Sequence, residues 1–519
     1  MKKKQIFSIA LATSMCFLTA CNLLPSSSDD PKLLEAPDYS AYTNRFESYG
    51  YGSPNPGYWI LDDERIELGE DFRTVERYRE YKDAGFSMLL CGHEDVTINS
   101  DSVEQWEMQK WVVDNAHEAG LKVILCDQRI QSLSMTDMRK KRLVGVDDPE
   151  TPEVEEYTFA SETELDEYIE SCMTLYKDHP GFYGLALGDE PRWYNVEAFG
   201  QVFRSLKRVA PEIFIQYNLL PTVSTMGQMD DLFLPIDGAE FGTFEEEMLA
   251  RYEQYLNSFM DVMTGVDYLQ YDDYPMSIDV INDLYLPTLQ VAAKVAKERD
   301  VELRLVTQTF SMRWQGDLHK RKIDEKAARW LNNTLVGFGV KQIHYFTYWT
   351  KLYNQTEGEL FIDDASFVTR AGEKTEIYYF MQKIMAENQT FAPVVLNFDY
   401  QGSRSYVNLP TYFYAEHMAH VDNSYVFQKL TNVQVDKESA LLTELYDEEN
   451  NRFMYMVMNT TDTINRGSMA YQTTELTFSS EYTHVAIYKN GVATPKKLEA
   501  GNKLYVELTP GEAVYVIPY

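Results

Sequence analysis

The feature that most constrains the fold is a regular alternation of short apolar runs with longer amphipathic segments. FSMLLCG (86–92) and GFYGLALG (181–188) are runs of the first kind. SVEQWEMQKWVVDNAHEAG (102–120) is of the second kind, with Ser102 at the helix N-cap and apolar residues at helical spacing. Strands that alternate with helices pair in parallel and are covered by those helices, so the chain predicts an α/β fold.

The predicted strands are short and almost continuously apolar: 57–61, 86–92, 122–127, 181–188, 214–220, 267–275, 302–310 and 340–349. Roughly eight strand–helix units in about 330 residues favour a closed (β/α)8 TIM barrel. An open doubly wound sheet is the alternative. It is disfavoured because no glycine-rich phosphate loop follows any early strand.

The composition changes after residue 395. SALLTELYDEENNRFMYMVMNTT alternates on either side of a polar turn, which predicts a β-hairpin. Further strand-like runs follow, separated by Asn-Gly and Pro-Gly turns. The sequence therefore predicts a barrel over 46–395 followed by a small antiparallel β-sandwich domain over 396–519.

The N-terminus has the pattern of an export signal. MKKKQIFSIALATSMCFLTAC combines a basic start with an apolar run that is too short to span a membrane. Its Leu18–Cys21 ending resembles the bacterial lipobox, and that resemblance implies cleavage before Cys21 and lipidation of its thiol. We expect a signal peptide over 1–20, a lipidated Cys21 with a flexible tether over 21–45, and an extracytoplasmic protein anchored in the cell envelope.

Charge and motif content narrow the function classes. A formal net charge of −34 argues against nucleic acid and against attachment to anionic lipid by a basic patch. The 8 His are scattered, and HExxH, CxxC and GxSxG motifs are all missing from the sequence. We therefore expect no metal, no cofactor, membrane contact through the lipid anchor alone, and a monomer.

Polar and aromatic residues follow the predicted strands, at the edge where a barrel places its active site. Carboxylates on an aromatic-lined edge suit cleavage of a glycosidic bond in a carbohydrate partner. One acid protonates the leaving oxygen, and a second anionic or nucleophilic group stabilises or attacks the positively charged sugar carbon. The candidate catalytic residues are Glu190, Asp189, Asp272 and Asp273. The candidate substrate-binding residues are His93, Glu94, Asp127, Asn218, Tyr274, Gln308, Tyr348, Trp349 and Trp193.

Three short motifs carry a family resemblance: DHPGFYGLALGDEP (178–191), YDDYP (271–275) and LTPGEAVYVIPY (508–519). Together they resemble the clan A glycoside hydrolases and lipoprotein sugar hydrolases of gut bacteria. The resemblance implies that Glu190 is the general acid/base and that Asp189 stands where the family has Asn. It also implies a nucleophilic Glu after the seventh strand, where this chain has Gln308.

The missing nucleophile leaves three interpretations open. Asp189 could orient an acetamido group of the substrate while Glu190 acts as the acid, as in hexosaminidases. Asp272 or Asp273 could supply the second carboxylate. Alternatively, the barrel binds sugar without cleaving it, as a surface glycan-binding lipoprotein would. Structural roles are also open, because Asp189 could cap the following helix and Glu190 could lie in its first turn.

Overall fold

The fold is described from a computed structural model that covers residues 36–61, 64–67, 69–92, 96, 98–145, 156–314, 317–350, 361–407, 416–437, 439–462, 464 and 471–519. The predicted signal peptide, Cys21 and the first part of the tether lie outside these residues. Among the helices described, none combines the length and the apolar composition that a membrane span requires.

The protein is a mixed α/β molecule whose strands number β1 to β23 along the chain. Their bounds are β1 (Tyr58–Leu61), β2 (Glu64–Glu67), β3 (Met88–Leu90), β4 (Lys122–Leu125), β5 (Arg142–Val144), β6 (Tyr157–Phe159), β7 (Phe182–Asp189), β8 (Phe214–Asn218), β9 (Tyr268–Asp273), β10 (Glu302–Gln308), β11 (Met312–Trp314), β12 (Asp317–Lys320), β13 (Val340–Phe346), β14 (Phe361–Ile362), β15 (Asp399–Val407), β16 (Leu430–Asp436), β17 (Ser439–Asp447), β18 (Arg452–Asn459), β19 (Gln472–Phe478), β20 (His484–Lys489), β21 (Val492–Lys497), β22 (Lys503–Leu508) and β23 (Ala513–Pro518).

The helices number α1 to α10. Their bounds are α1 (Val75–Asp83), α2 (Val103–Glu118), α3 (Gln128–Ser134), α4 (Glu162–Met173), α5 (Val196–Val209), α6 (Met226–Leu232), α7 (Phe244–Val262), α8 (Tyr285–Glu298), α9 (Glu325–Gly337) and α10 (Glu376–Val395).

Side-chain caps explain where several helices begin. Ser102 accepts a hydrogen bond from the Gln105 N–H at the start of α2, as its sequence predicts. Thr243 caps α7 in the same way. Pro287 lies in the first turn of α8, where a missing N–H removes no intrahelical bond, so it does not interrupt the helix.

The parallel strands form one curled sheet. β3, β4, β7 and β8 pair in that order, and β9, β10 and β13 form a second run. A parallel bridge between Leu219 and Tyr271 joins the two runs. On the far side, Ser48 accepts the N–H of Met88 at 3.1 Å, and Tyr51 donates its N–H to Tyr345 at 2.8 Å. Both outer strands, β3 and β13, therefore bond to segment 48–52.

The first predicted strand is wrong as a member of the parallel sheet. Residues of GYWIL form β1, which pairs antiparallel with β2 as a hairpin. Segment 48–52, with the sequence SYGYG, occupies the place between β13 and β3 instead. Because two of its five residues are glycine, the composition of this segment does not predict a strand. Tyr49 and Tyr51 nevertheless have the two-residue period of a strand.

The C-terminal region consists of antiparallel strands, as the sequence predicts. One sheet has the order β15-β17-β18-β23-β20-β21, and the other has the order β16-β19-β22. Leu442, Val457 and Val516 of the first sheet share an apolar cluster with Leu476 and Leu504 of the second. The predicted DEENN hairpin is confirmed, since β17 and β18 pair directly.

Residues 36–519 form one compact unit. The long helix α10 ends at Val395, and β15 begins at Asp399, close to the domain boundary that the sequence predicts. The division into two domains stays a prediction.

The strand that carries the carboxylates is packed tightly enough to require glycine. A Cβ on Gly184 would meet the carbonyl oxygen of Phe214 in β8, at a distance that no neighbouring backbone can accept. We therefore expect Gly184→Ala to lower the free energy of unfolding by about 1–3 kcal/mol, measured by urea denaturation. Gly227→Ala is the matched control, because nothing lies within 4 Å of its added Cβ. Equal stability of the two variants would contradict the described pairing of β7 and β8.

Candidate active site

Three neighbouring parallel strands bring polar residues to the same edge of the sheet. β7 ends at Asp189, which is in register with Asn218 at the end of β8. β9 follows β8 in the sheet and ends with Asp272 and Asp273. The Asn218 side chain donates to Asp189 Oδ1 at 3.1 Å, so the first acid is oriented by the neighbouring strand.

The backbone at Glu190 is fixed in an unusual conformation. Its φ is 49°, in the left-handed region, which residues other than glycine seldom adopt. The Glu190 N–H donates to the Asn218 carbonyl at 2.8 Å. Beyond it, the Tyr255 hydroxyl donates to the Pro191 carbonyl at 2.5 Å and accepts the Leu220 N–H at 3.2 Å. Contacts on both sides therefore hold Glu190 in a conformation that the surrounding structure must impose.

Asp189 does not cap the following helix, and Glu190 does not lie in its first turn. A short 3₁₀ turn (Trp193–Asn195) comes after Pro191, and α5 begins at Val196 with Asn195 at its N-cap.

The Glu190 and Asp272 carboxyl groups lie close enough to affect each other's pKa. Burial and the charge of Asp189 raise the pKa of Glu190 to about 7, and Asp272 partly offsets that rise. Burial, with the charges of Glu190 and Asp189, also raises the pKa of Asp272 well above its ordinary value. Neighbouring carboxyl groups with raised pKa values can divide the roles of acid and base between them.

The Glu190 side chain is exposed to solvent on one side and surrounded by protein atoms on the other. The protein atoms raise the pKa of its carboxyl. Asp272 is 2% exposed and lies deeper. The pair thus extends from a solvent-accessible acid to a buried partner.

Asp273 lies on the other face of β9, since side chains alternate along a strand. Burial is the main cause of the raised pKa of Tyr252, Tyr271 and Tyr285 in the main core, and the charge of Asp273 contributes to each. Burial raises the pKa of Asp273 to about 7, against the opposing charge of Lys320. The two adjacent acids of β9 therefore have separate surroundings, and the acid that meets Glu190 is Asp272.

Aromatic rings surround the Glu190–Asp272 pair. Tyr274 follows Asp272 by two residues and lowers the pKa of its carboxyl, and the Tyr274 ring lies 5.5 Å from that of Phe346. The charges of Asp189 and Asp272 raise the pKa of Tyr51, although burial is the larger cause. Gln216 donates to the Tyr51 hydroxyl at 3.1 Å. Such rings offer flat apolar faces beside hydroxyl groups.

Asp127 has a structural environment. It is 1% exposed, caps α3 through the Arg129 N–H, and accepts from the Arg129 guanidinium at 2.6 and 2.9 Å. The Tyr176 hydroxyl also donates to it at 2.9 Å. Its oxygens are therefore already bonded within the protein, and its predicted role in binding substrate stays a prediction.

Other candidates are distributed away from the carboxylates. Tyr348 and Trp349 are each 1% exposed and pack in the main core, against Phe86 and Phe72 respectively. Trp193 is half-buried, with the Arg139 guanidinium 5.4 Å from its ring centre. His93 and Glu94 lie outside the described residues.

Gln308 is fully buried and bonded to backbone groups on three segments. Its Nε2 donates to the carbonyls of Met276, Phe310 and Arg321 at 3.1–3.2 Å, and its Oε1 accepts the Met276 N–H at 3.0 Å. The amide that replaces the expected nucleophile therefore ties loops together.

Sequence reasoning missed two residues close to the carboxylates, Tyr51 and Lys320. Tyr51 lies in the segment that was not recognised as a strand, where its two-residue spacing from Tyr49 was the available signal. Lys320 ends β12 and donates to the Tyr274 carbonyl at 2.5 Å, and burial lowers its pKa. No local pattern marks that contact, because it joins segments far apart in the chain.

Within the described residues, no group of three or more His, Cys, Asp or Glu side chains is arranged to hold a metal ion. A cavity of about 630 Å³ lies elsewhere, and Asp267, Lys297, Lys341 and Tyr400 contribute to its lining. It includes none of the carboxylates at the strand ends.

The fold and site define an α/β protein with paired carboxyl groups at the carboxyl-terminal edge of a curled parallel sheet. A scan against protein-family models found no match, and a search of curated proteins found none either. Among solved structures, the chain is similar to a glycoside hydrolase family 5 protein from Bacteroides vulgatus, with 9% identity and a TM-score of 0.46 over 90% of this chain and 94% of that one.

Two further similarities have lower TM-scores. An endo-β-1,4-mannanase from Thermotoga petrophila gives 12% identity and a TM-score of 0.39, over 91% of this chain and 99% of that one. An FMN-binding β-glucuronidase from Facaelibacterium prausnitzii gives 10% identity and a TM-score of 0.35 over 91% of this chain. The chain spans about half the length of that protein, 53%.

The raised pKa of Glu190 predicts a pH-dependent stability. A carboxyl whose pKa is higher in the folded protein stabilises the fold fully below its unfolded pKa, and that contribution is lost as pH rises through about 7. We expect Glu190→Gln to gain stability relative to wild type between pH 4 and pH 8 by about 1 kcal/mol, allowing for solvent screening.

Urea denaturation at both pH values measures this difference. Glu481→Gln is the control, because Glu481 is an exposed partner of Lys429. An identical offset between Glu190→Gln and wild type at pH 4 and pH 8 would rule out the raised pKa.

Proposed function

We propose that the protein is an extracytoplasmic, lipid-anchored glycoside hydrolase that cleaves O-glycosidic bonds of a poly- or oligosaccharide. Glu190 is its general acid/base. The observation that carries the proposal is that Glu190 and Asp272 meet at the same edge of the sheet, close enough for each carboxyl to affect the pKa of the other. Glycoside hydrolysis requires this combination, since the leaving oxygen takes a proton while the sugar develops positive charge.

Asp272 is the second catalytic group in this proposal, rather than Asp189 or Asp273. Its carboxyl lies close to that of Glu190, whereas Asp189 is oriented by Asn218 and Asp273 lies on the opposite face of β9. Asp189 acts through its charge, which helps to keep Glu190 protonated. Tyr51 and Tyr274 provide surfaces on which a sugar ring can stack.

The spacing of the two carboxyl groups also bears on stereochemistry. The two carboxyl groups stand about 5–5.5 Å apart in retaining enzymes and about 6.5–9.5 Å apart in inverting ones. Glu190 and Asp272 lie close enough for each to affect the pKa of the other, which favours the shorter range. We therefore propose that the reaction retains anomeric configuration, with Asp272 as nucleophile.

The proposal includes the finer description of the fold. Segment 48–52 acts as the first strand of a (β/α)8 barrel, because it bonds to both outer strands of the curled sheet. The two antiparallel sheets with a shared apolar cluster form a β-sandwich at the C-terminus.

A non-catalytic glycan-binding protein is the alternative function. Such a protein has no need for a second carboxyl group beside Glu190. The raised pKa values of Glu190 and Asp272 favour catalysis, because the burial of two neighbouring acids has a cost that binding alone does not require.

Activity tests separate the two functions. On a panel of polysaccharides and aryl glycosides, we expect Glu190→Gln and Asp272→Asn each to lower kcat by about 10²–10⁴-fold, since each removes a proton-transfer or nucleophilic group. Asp273→Asn should have a smaller effect, and Glu481→Gln is the control. Proton NMR of the first product should show the retained anomer. Turnover that Glu190→Gln leaves unchanged would refute the catalytic assignment, and binding without turnover by wild type would favour the alternative.

The anchor is tested independently. Replacing Cys21 by Ser removes the thiol that the lipobox-like sequence offers for lipidation. We expect the variant to lose incorporation of labelled palmitate and to leave the membrane fraction. Wild-type protein that incorporates no label would contradict the anchor.

A further inference from the structure

The loop that follows β9 is held by residues from distant parts of the chain. Tyr274, which follows Asp272 by two residues, offers its carbonyl to Lys320. Met276 bonds to Arg321 through its carbonyl at 3.1 Å and to Gln308 through both its N–H and its carbonyl. The position of Asp272 therefore depends on where the Lys320–Arg321 segment lies.

The Lys320–Arg321 segment is in turn fixed by the C-terminal β region. Arg321 is 4% exposed and forms a bidentate ion pair with Asp462, with nitrogen–oxygen distances of 2.8 and 3.1 Å. The same guanidinium donates to the Met276 sulfur at 3.2 Å. A buried bidentate pair fixes both the distance and the orientation of its partners.

The chain just before Asp462 is bonded to several neighbours. Two residues before it, the Thr460 carbonyl accepts from the Trp330 indole at 3.1 Å and from His417 at 2.9 Å. Burial lowers the pKa of His417 to about 4, so this ring is neutral at physiological pH. The hydroxyl of Thr460 donates to Ser439 at 3.1 Å. These contacts give Asp462 a fixed position from which to orient Arg321.

We propose that Asp462 is a positioning residue of the active site. Through Arg321 it fixes the loop after β9 and, with that loop, the orientation of Asp272 toward Glu190. The catalytic consequence rests on the proposed function, while the positioning itself does not. The C-terminal β region is then a part of the active-site framework rather than a separable sugar-binding module.

Two variants separate positioning from stability. Asp462→Asn leaves the buried Arg321 guanidinium without its charged partner and is expected to lower the melting temperature. The double variant Arg321→Met/Asp462→Leu replaces the pair by apolar side chains, which often restores stability but supplies no directional bond. Glu481→Gln, which removes an exposed ion pair of the same β region, is the control.

Two measurements need no substrate. Hydrogen exchange followed by mass spectrometry should show faster exchange in residues 272–277 of both variants, with residues 122–134 unchanged.

Carbodiimide coupling of glycine amide requires a protonated carboxyl, so the pH dependence of coupling at Glu190 reports the protonation of that group. In wild type coupling should persist to about pH 7, and in both variants its midpoint should move toward the ordinary range of a glutamic acid.

A third measurement applies once a substrate is found. We expect kcat to fall by about ten- to a hundredfold in both variants with little change in KM, because a misplaced Asp272 affects the reaction more than binding. A double variant that regains wild-type melting, exchange and coupling would overturn the proposal and leave Asp462 with a stabilising role only. If no glycoside is turned over, the proposed function fails, while exchange and coupling still decide the role of Asp462.

Discussion

The active-site arrangement depends on the proximity of two carboxyl groups, Glu190 and Asp272. Burial, together with neighbouring carboxylate charges, raises the pKa of both groups, because two ionised acids cannot lie close together in a partly desolvated place at low cost. The surrounding features maintain this proximity: the strand register at Asn218, the left-handed backbone of Glu190 and the Tyr255 hydroxyl behind it. A relaxed Glu190 backbone would allow the acids to separate and ionise, so local strain and raised pKa values belong to one arrangement.

Much of this arrangement is predictable from local sequence. Strand and helix periods locate β7 and β9, and the end of each strand identifies Glu190 and Asp272 as neighbours on one edge. Periodicity alone does not say which of Asp272 and Asp273 meets Glu190, because that depends on the face that β9 turns inward. The structure resolves this through the tyrosines around Asp273.

The remaining features arise from contacts between distant residues, which no local pattern records. Arg321 and Asp462 are 141 positions apart, and neither stands in a recognisable motif. Gln308 was notable in the sequence only for not being a glutamate, whereas its amide bonds to three backbone segments. Trp349 looked like a platform for sugar because it follows a strand, yet it is buried against Phe72. A side chain that follows a strand can therefore point into the packed core as well as toward a ligand.

The bonds of segment 48–52 to both outer strands have a consequence for the order of folding. Tyr49 and Tyr51 bond to Tyr345, so this pairing spans nearly the whole α/β region. A chain that emerges amino-terminus first cannot make these bonds until residue 345 has followed. Contacts of such long sequence separation form late and slowly. Segment 48–52 therefore lacks its β13 partner until the last parallel strand has been synthesised.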